Sequence, residues 1–309
     1  MPRAPAFLCV TIDCECDKGP GWRTRRPLAF SGVHVGIVER LHPLFQRLGA
    51  KPTYMLSPEL LRDDACVERL GALDGCELAT HLHWEMAEPG AHEPEETTAV
   101  QRDYPEDAER AKLEWLTGAF RSAFGRAPAS FRAGRFGIGT HSVPILESLG
   151  YAVESSVTPH MDWSHVSRGL AFADAPTQPY HPDPRDPGRT GTSTLLEVPV
   201  TIRPRALGRV PFVGKLLEPR WLRPTRTSGA DLVALARETV DAERSARPDR
   251  AVVLNAMFHN VEVVAGTSPY ASTDDEARRI VERLATLLEA TQRDGIRCVG
   301  LSDVPGLLA

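Results

Sequence analysis

Two polar runs interrupt apolar sequence with spacings that suit metal and acid–base chemistry. The first reads Phe7-Leu-Cys-Val-Thr-Ile-Asp13-Cys-Glu15-Cys-Asp17, with three acids two residues apart. Side chains alternate along a β-strand, so Asp13 and Glu15 share a face, with Asp17 beyond them if the strand continues. Carboxylates gathered in this way repel one another and resist burial unless a cation neutralises them. If the strand stops at Asp13, the other two stand in a solvated loop. The second run is Cys76-Glu-Leu-Ala-Thr-His81-Leu-His83-Trp84-Glu85, which again places two imidazoles on one face. Two histidines and a nearby carboxylate suit Zn²⁺ or another borderline divalent ion. A third run, Phe131-Arg132-Ala-Gly-Arg135-Phe136-Gly137, carries arginines at the end of an apolar segment. A guanidinium there would keep a catalytic carboxylate ionised, or would simply pair with a surface acid. Finally, His259 follows the apolar run Val252–Phe258, a placement that suits a general acid or base as well as a loop histidine.

These residues need a frame that brings them together. Strand-like runs at Phe7–Asp13, Pro52–Leu56, Cys76–His83, Ser130–Ala133, Ala152–Val157, Leu195–Ile202, Ala251–Phe258 and Arg297–Leu301 alternate with helical patterns. The latter, with apolar residues at three- and four-residue spacing, cover Val33–Leu48, Pro105–Phe124, Thr140–Leu149, Ala230–Arg244 and Thr273–Thr291. Thr273 with Glu276 has capping-box spacing, and Gly49, Gly125, Gly150 and Gly295 stand where helices should stop. Alternation of this kind predicts parallel βαβ units, and about eight strands without a dinucleotide-binding glycine fingerprint favour a closed barrel. In a parallel barrel the C-terminal strand ends build the site, and every run above falls at such an end.

Composition limits the alternatives. The chain has 309 residues, 42% hydrophobic and 25% charged, with a formal net charge of −5. That balance gives no electrostatic reason to expect nucleic acid, and no apolar run nears the length of about 18 residues that spans a bilayer. The acidic cluster follows directly on the first apolar run, so cleavage of a signal peptide there would destroy the site. A cytoplasmic protein with reduced thiols is the default expectation. Cys14-x-Cys16 lacks a second cysteine pair, which argues against a zinc ribbon. Of 26 prolines, 11 fall between Pro159 and Pro224. The region from about 158 to 228 is thus expected to be an excursion from the barrel, either a lid or binding loop or a partly disordered surface loop.

Taken in order, Thr11-Ile-Asp13-x-Glu15, the His81/His83 pair, Phe131-Arg132-x-x-x-Phe-Gly137 and His259 resemble the polysaccharide deacetylase family, the NodB-homology group or carbohydrate esterase family 4. Glu154-Ser-Ser-Val157 and Cys298-Val-Gly-Leu-Ser-Asp-Val304 are similar to further stretches of that family, so the resemblance runs from about residue 7 to 304. It implies an α/β fold, a distorted (β/α)7–8 barrel over 1–309 with the proline-rich insertion, and a metal-dependent N-deacetylase acting on an acetylated amino sugar. By the same resemblance, Asp13 is the general base, Arg132 orients it and His259 is the general acid. Glu15, His81 and His83 hold a divalent metal, most readily Zn²⁺, with Asp17 competing for the place of Glu15. Family members often carry His-x-x-x-His, whereas here Glu85 stands four residues after His81. Three arrangements follow: His81 with His83, His81 with Glu85, or a degraded metal site, and strand alternation favours the first. Trp84, Arg135 and Phe136 are the expected substrate contacts. A cytoplasmic precursor of surface polysaccharide fits the absence of a secretion signal, and a non-sugar amide, as in the allantoinase-like branch, is a further option. Two other classes stay open: a metal-free glycoside hydrolase using Asp13 and Glu85, and a non-catalytic member that binds a glycan or a protein.

Overall fold

The computed structural model describes residues 3–90, 100–205 and 218–309; within the proline-rich region, 206–217 lies outside the described residues. Eight parallel strands make one curled sheet, a distorted (β/α) barrel. They are β1 (Ala6–Cys14), β2 (Thr53–Leu56), β3 (Glu77–Leu82), β4 (Ser130–Ala133), β5 (Val153–Glu154), β6 (Leu196–Glu197), β7 (Val252–His259) and β8 (Arg297–Cys298). The order is β7-β1-β2-β3-β4-β5-β6. The last strand, β8, pairs with Phe7 and Leu8 of β1, while β2 pairs with Thr11–Cys14, so the two share one flank of the first strand. Residues distant in sequence therefore meet at one level: Asp13 is opposite His259, and His81 opposite Arg132.

Period-two alternation divides the apolar residues into two layers. Phe7, Cys9, Met55, Ala79, Val153, Leu196 and Val253 cluster inside the barrel. Their alternates Leu8, Val10, Ile12, Leu254, Ala256 and Phe258 pack outward, among Leu232, Leu235, Ile280, Leu284 and Leu287 of the surrounding helices. Those helices are α1 (His42–Arg47), α2 (Asp64–Gly71), α3 (Glu106–Phe124), α4 (Ser142–Ser148), α5 (Gly229–Ala246), α6 (Asp274–Arg293) and α7 (Val304–Leu308). The Thr273/Glu276 capping box forms, and Gly49, Gly125, Gly150 and Gly295 all take left-handed φ of 59° to 85°. The expected helix Val33–Leu48 starts as a π-helical segment, Gly32–Leu41, before α1. A Cβ on Gly36 would lie 2.8 Å from the Asn260 carbonyl, so this helix rests directly on the loop after β7.

The outer strands are shorter than their sequence patterns. Beyond β5, Glu154 accepts from the Ser156 amide (3.0 Å) and Glu197 from the Val157 amide (3.1 Å), so side chains interrupt a ladder that keeps only isolated backbone bonds such as Val200 amide to Val157 carbonyl (3.0 Å). The run Leu195–Ile202 splits at Pro199, and Ile202–Arg203 pairs instead with Arg220–Trp221 in a separate antiparallel pair. Between β6 and β7 the connection is made largely by side chains. Gln178 bonds both the amide and the carbonyl of Val253 (2.9 and 3.2 Å), and Thr201 Oγ1 accepts from the Asn255 amide (2.8 Å). No pattern announced α2, whose start is fixed by Asp63 accepting from the Cys66 amide at 2.8 Å. All six cysteines are free thiols. No helix among the described residues is long and apolar enough to cross a membrane.

Candidate metal centre and acid–base site

Asp13 and Arg132 face each other inside the barrel at the C-terminal ends of β1 and β4. Arg132 is fully buried, yet each of its three nitrogens has an acceptor. It donates to Asp13 Oδ1 (2.7 Å), to the Ser155 carbonyl (2.7 Å), to Thr11 Oγ1 (2.8 Å) and to Ser155 Oγ (2.9 Å). Such satisfaction is what permits a guanidinium at this depth. Burial raises the Asp13 carboxyl, but the charges of Arg132, His81 and His259 outweigh it and hold the group below the ordinary range.

Glu15 lies one residue past the end of β1, where period-two alternation would normally lapse. The side chain of Asn260 prevents that: its Oδ1 accepts from the Glu15 amide (2.9 Å) and its Nδ2 donates to the Glu15 carbonyl (3.0 Å). The asparagine thus substitutes for a neighbouring strand and aims Glu15 at the same volume as Asp13. There Glu15 Oε1 meets Nε2 of His83 at 3.0 Å, of His81 at 3.6 Å and of His259 at 3.7 Å. Its other oxygen pairs with buried Lys18 at 2.9 Å. Burial opposes ionisation of Glu15, but His83 and Lys18 together pull it well below the usual range.

The donor set fits a divalent metal. Glu15, His81 and His83 each offer a ligand atom within 4.8 Å of the others, and two imidazoles with one carboxylate is a zinc-type set. His81 Nδ1 lies 3.0 Å from the Arg132 carbonyl. As the donor of that bond it leaves Nε2 free toward Glu15, the orientation a metal-binding histidine requires. Without metal, burial lowers His83, but Glu15 and Glu85 prevail and push it up to about 9.

The competing ligands are placed elsewhere. Asp17 accepts from the amides of Ser31 (3.1 Å) and Gly32 (2.9 Å) and caps the π-helical segment. Glu85 is held by both Nη atoms of Arg135 (3.1 and 2.6 Å), and its contact with His83 is to Nδ1, at 3.6 Å. His259 lies opposite Asp13, with Nε2 4.0 Å from Asp13 Oδ2. Its Nδ1 contacts Glu262 at 2.8 Å, Glu262 is bonded by Arg223 and Thr225, and the Trp22 ring packs on the imidazole edge-on at 4.8 Å.

A cavity of about 1010 Å³ opens over these groups, lined by Asp13, Glu15, His81, His83 and His259 on its floor. Arg135 and Phe136 line it, both at left-handed φ (54° and 55°), a strained backbone of the kind that recurs at functional sites. Trp84 does not line it. The chain turns into a 3-10 helix at Trp84–Met86, and the indole stacks on Tyr104 at 3.8 Å. From the proline-rich excursion the lining residues are Trp163, His165, Val166 and Arg223. The hairpin Pro182–Thr190 contributes none. Sequence reasoning missed Lys18, Trp22, Arg223, Asn260 and Glu262; only Glu262, three residues after His259, carried a local signal.

No protein-family model matches the sequence, and no curated protein is similar to it in sequence. Solved structures share its fold. A Mycobacterium smegmatis protein assigned to the polysaccharide deacetylases has a TM-score of 0.58 at 19% identity, over 100% of this chain and 94% of that one. The GH57-type branching enzyme of Pyrococcus horikoshii gives 0.57 at 11% identity, over 97% and 70%. Puue allantoinase gives 0.56 at 14% identity, over 99% and 93%. At such identities the likeness is one of fold, the distorted barrel in which these proteins arrange their strands.

Proposed function

We propose that the protein is a metal-dependent hydrolase that removes the acetyl group from an acetamido sugar used in surface polysaccharide. The observation that carries this reading is the convergence, on one cavity floor, of an Arg-paired aspartate, a Glu/His/His donor set and a histidine backed by a carboxylate. Glu15, His81 and His83 would hold a divalent ion, most readily Zn²⁺, which would supply Lewis acidity toward an amide carbonyl. Asp13, kept ionised by Arg132, accepts the proton of the attacking water. His259 faces Asp13 across the same space and delivers a proton from Nε2 to the departing nitrogen, which leaves poorly without one. Glu262 orients that imidazole through Nδ1 and stabilises its charged form. Phe136 stacks with Trp163 at 5.5 Å on the cavity wall, a surface suited to the apolar face of a sugar ring.

A glycoside hydrolase would need Glu85 as its acid. Burial raises that carboxyl, but His83 and Arg135 pull it far below the usual range, so it has no proton to give near neutral pH. The test is acetate release from N-acetylated amino-sugar oligomers by Asp13→Asn. The variant should retain its metal and lose about 10²–10⁴ in rate. Undiminished release by the variant, or full activity of the unsubstituted protein in chelator, overturns the reading.

A further inference from the structure

Away from the cavity, His34, Asp63 and Cys66 bring an imidazole, a carboxylate and a thiol within 4.8 Å of one another. None of the three lines the cavity. They come from successive crossovers, His34 from the π-helical segment and the other two from the cap and first turn of α2. Asp63 is fixed there by accepting from the Cys66 amide at 2.8 Å. Among the described residues His34 Nδ1 is buried without a hydrogen-bond partner, an arrangement that costs free energy unless something ligates it. Cys66 is buried too, and burial together with Asp63, Glu59 and Asp17 raises its thiol far above the usual range. Those three carboxylates place the sulfur in a negative field that a cation would relieve.

We propose that His34, Asp63 and Cys66 form a second divalent-cation site, of zinc type, that clasps the first crossover to α2. Tetrahedral zinc with bonds of about 2.0–2.3 Å spaces its donors about 3.3–3.8 Å apart, so donors lying within 4.8 Å of one another need close by no more than about 1.5 Å. His34 and Asp63 are half-buried, which leaves a path for the ion and a water in the fourth position. Binding displaces the thiol proton, so the thiolate becomes the ligand.

The thiol makes the proposal separable from the deacetylase reading, because Glu15, His81 and His83 include no sulfur. Metal-free protein titrated with Co²⁺ should take up a second cobalt accompanied by near-ultraviolet thiolate-to-cobalt absorption. Cys66→Ser should lose that absorption and one cobalt while keeping the other, and Cys16→Ser should keep both. His34→Ala, a milder change at a half-buried position, should weaken the sulfur-ligated cobalt about tenfold or more. Absence of the absorption in the unsubstituted protein, its survival in Cys66→Ser, its loss in Cys16→Ser, or unchanged affinity in His34→Ala would each overturn the second site.

Discussion

Replacing Arg132 with Met in metal-free protein isolates what the guanidinium does for Asp13. The substitution keeps most of the side-chain volume and removes the donors that reach Asp13, Thr11 and Ser155. Breaking a buried ion pair from one side costs about 3–5 kcal/mol, since the remaining charge is left uncompensated. The pH dependence distinguishes this cause from simple loss of packing. In the unsubstituted protein the Asp13 carboxyl lies below its unfolded value of about 3.9, so its stabilisation is present above that pH and is lost as the pH falls through the folded value. Without Arg132, burial, the largest influence on this carboxyl, is opposed only by His81 and His259, and the folded value is expected to rise above the unfolded one. The ionised carboxylate then opposes folding at high pH, and the penalty fades on acidification by about 1.4 kcal/mol per unit below the folded value. Urea unfolding of both proteins at about pH 8 and pH 5 reads the effect, with titrations common to both cancelling in the difference. A destabilisation of about 3–5 kcal/mol at the higher pH should be smaller at the lower. An equal difference at both pH values would refute the electrostatic account, as would a loss below about 1 kcal/mol.

Other consequences follow from the same site and its supports. Because Glu15 and Glu85 push His83 up to about 9 in metal-free protein, metal must displace its proton; affinity at Glu15, His81 and His83 should rise with pH up to that value, with proton release seen by calorimetry in buffers of different ionisation enthalpy. Glu262→Gln removes the charge behind His259 and should lower the rate of acetate release about 10–100-fold with bound metal unchanged, whereas unchanged kinetics would make the pair merely structural. Gly36→Ala puts a methyl 2.8 Å from the Asn260 carbonyl; overpacking there should cost about 1–3 kcal/mol in denaturant unfolding and, by shifting Asn260, disturb Glu15.

What the sequence disclosed about the site follows from how far strand geometry reaches. Asp13, His81 and Arg132 lie on ladders, and their common face could be read from alternation alone. Glu15 and His83 lie one residue beyond, and alternation held because Asn260 and the extended backbone of His83 (φ −93°, ψ 113°) prolong it. Trp84 is out of phase with His81 and His83, so alternation itself turns the indole to the other face, where it stacks on Tyr104 as the 3-10 turn begins. Asp17 departs for a different reason: its carboxylate is claimed by a helix start that local periodicity does not reveal. Lys18, Trp22 and Arg223 come from loops whose placement depends on contacts far away in sequence. The alternating strands and helices gave the barrel, but Pro199 and the side-chain bonds at Ser156 and Val157 shortened its outer strands below their apolar patterns.

The seam between β6 and β7 has a consequence for how this barrel breathes. A backbone ladder opens only by separating several peptide pairs at once, whereas here the Val253 and Asn255 amides bond to the side chains of Gln178 and Thr201. Each of these two bonds can be released by a single rotamer change, which leaves the Thr201 amide to Asn255 carbonyl bond (2.9 Å) to hold the line. Amide exchange at these two positions of β7 should therefore outpace that of its neighbours. The same strand ends in His259, so any such opening would be felt at that side of the cavity.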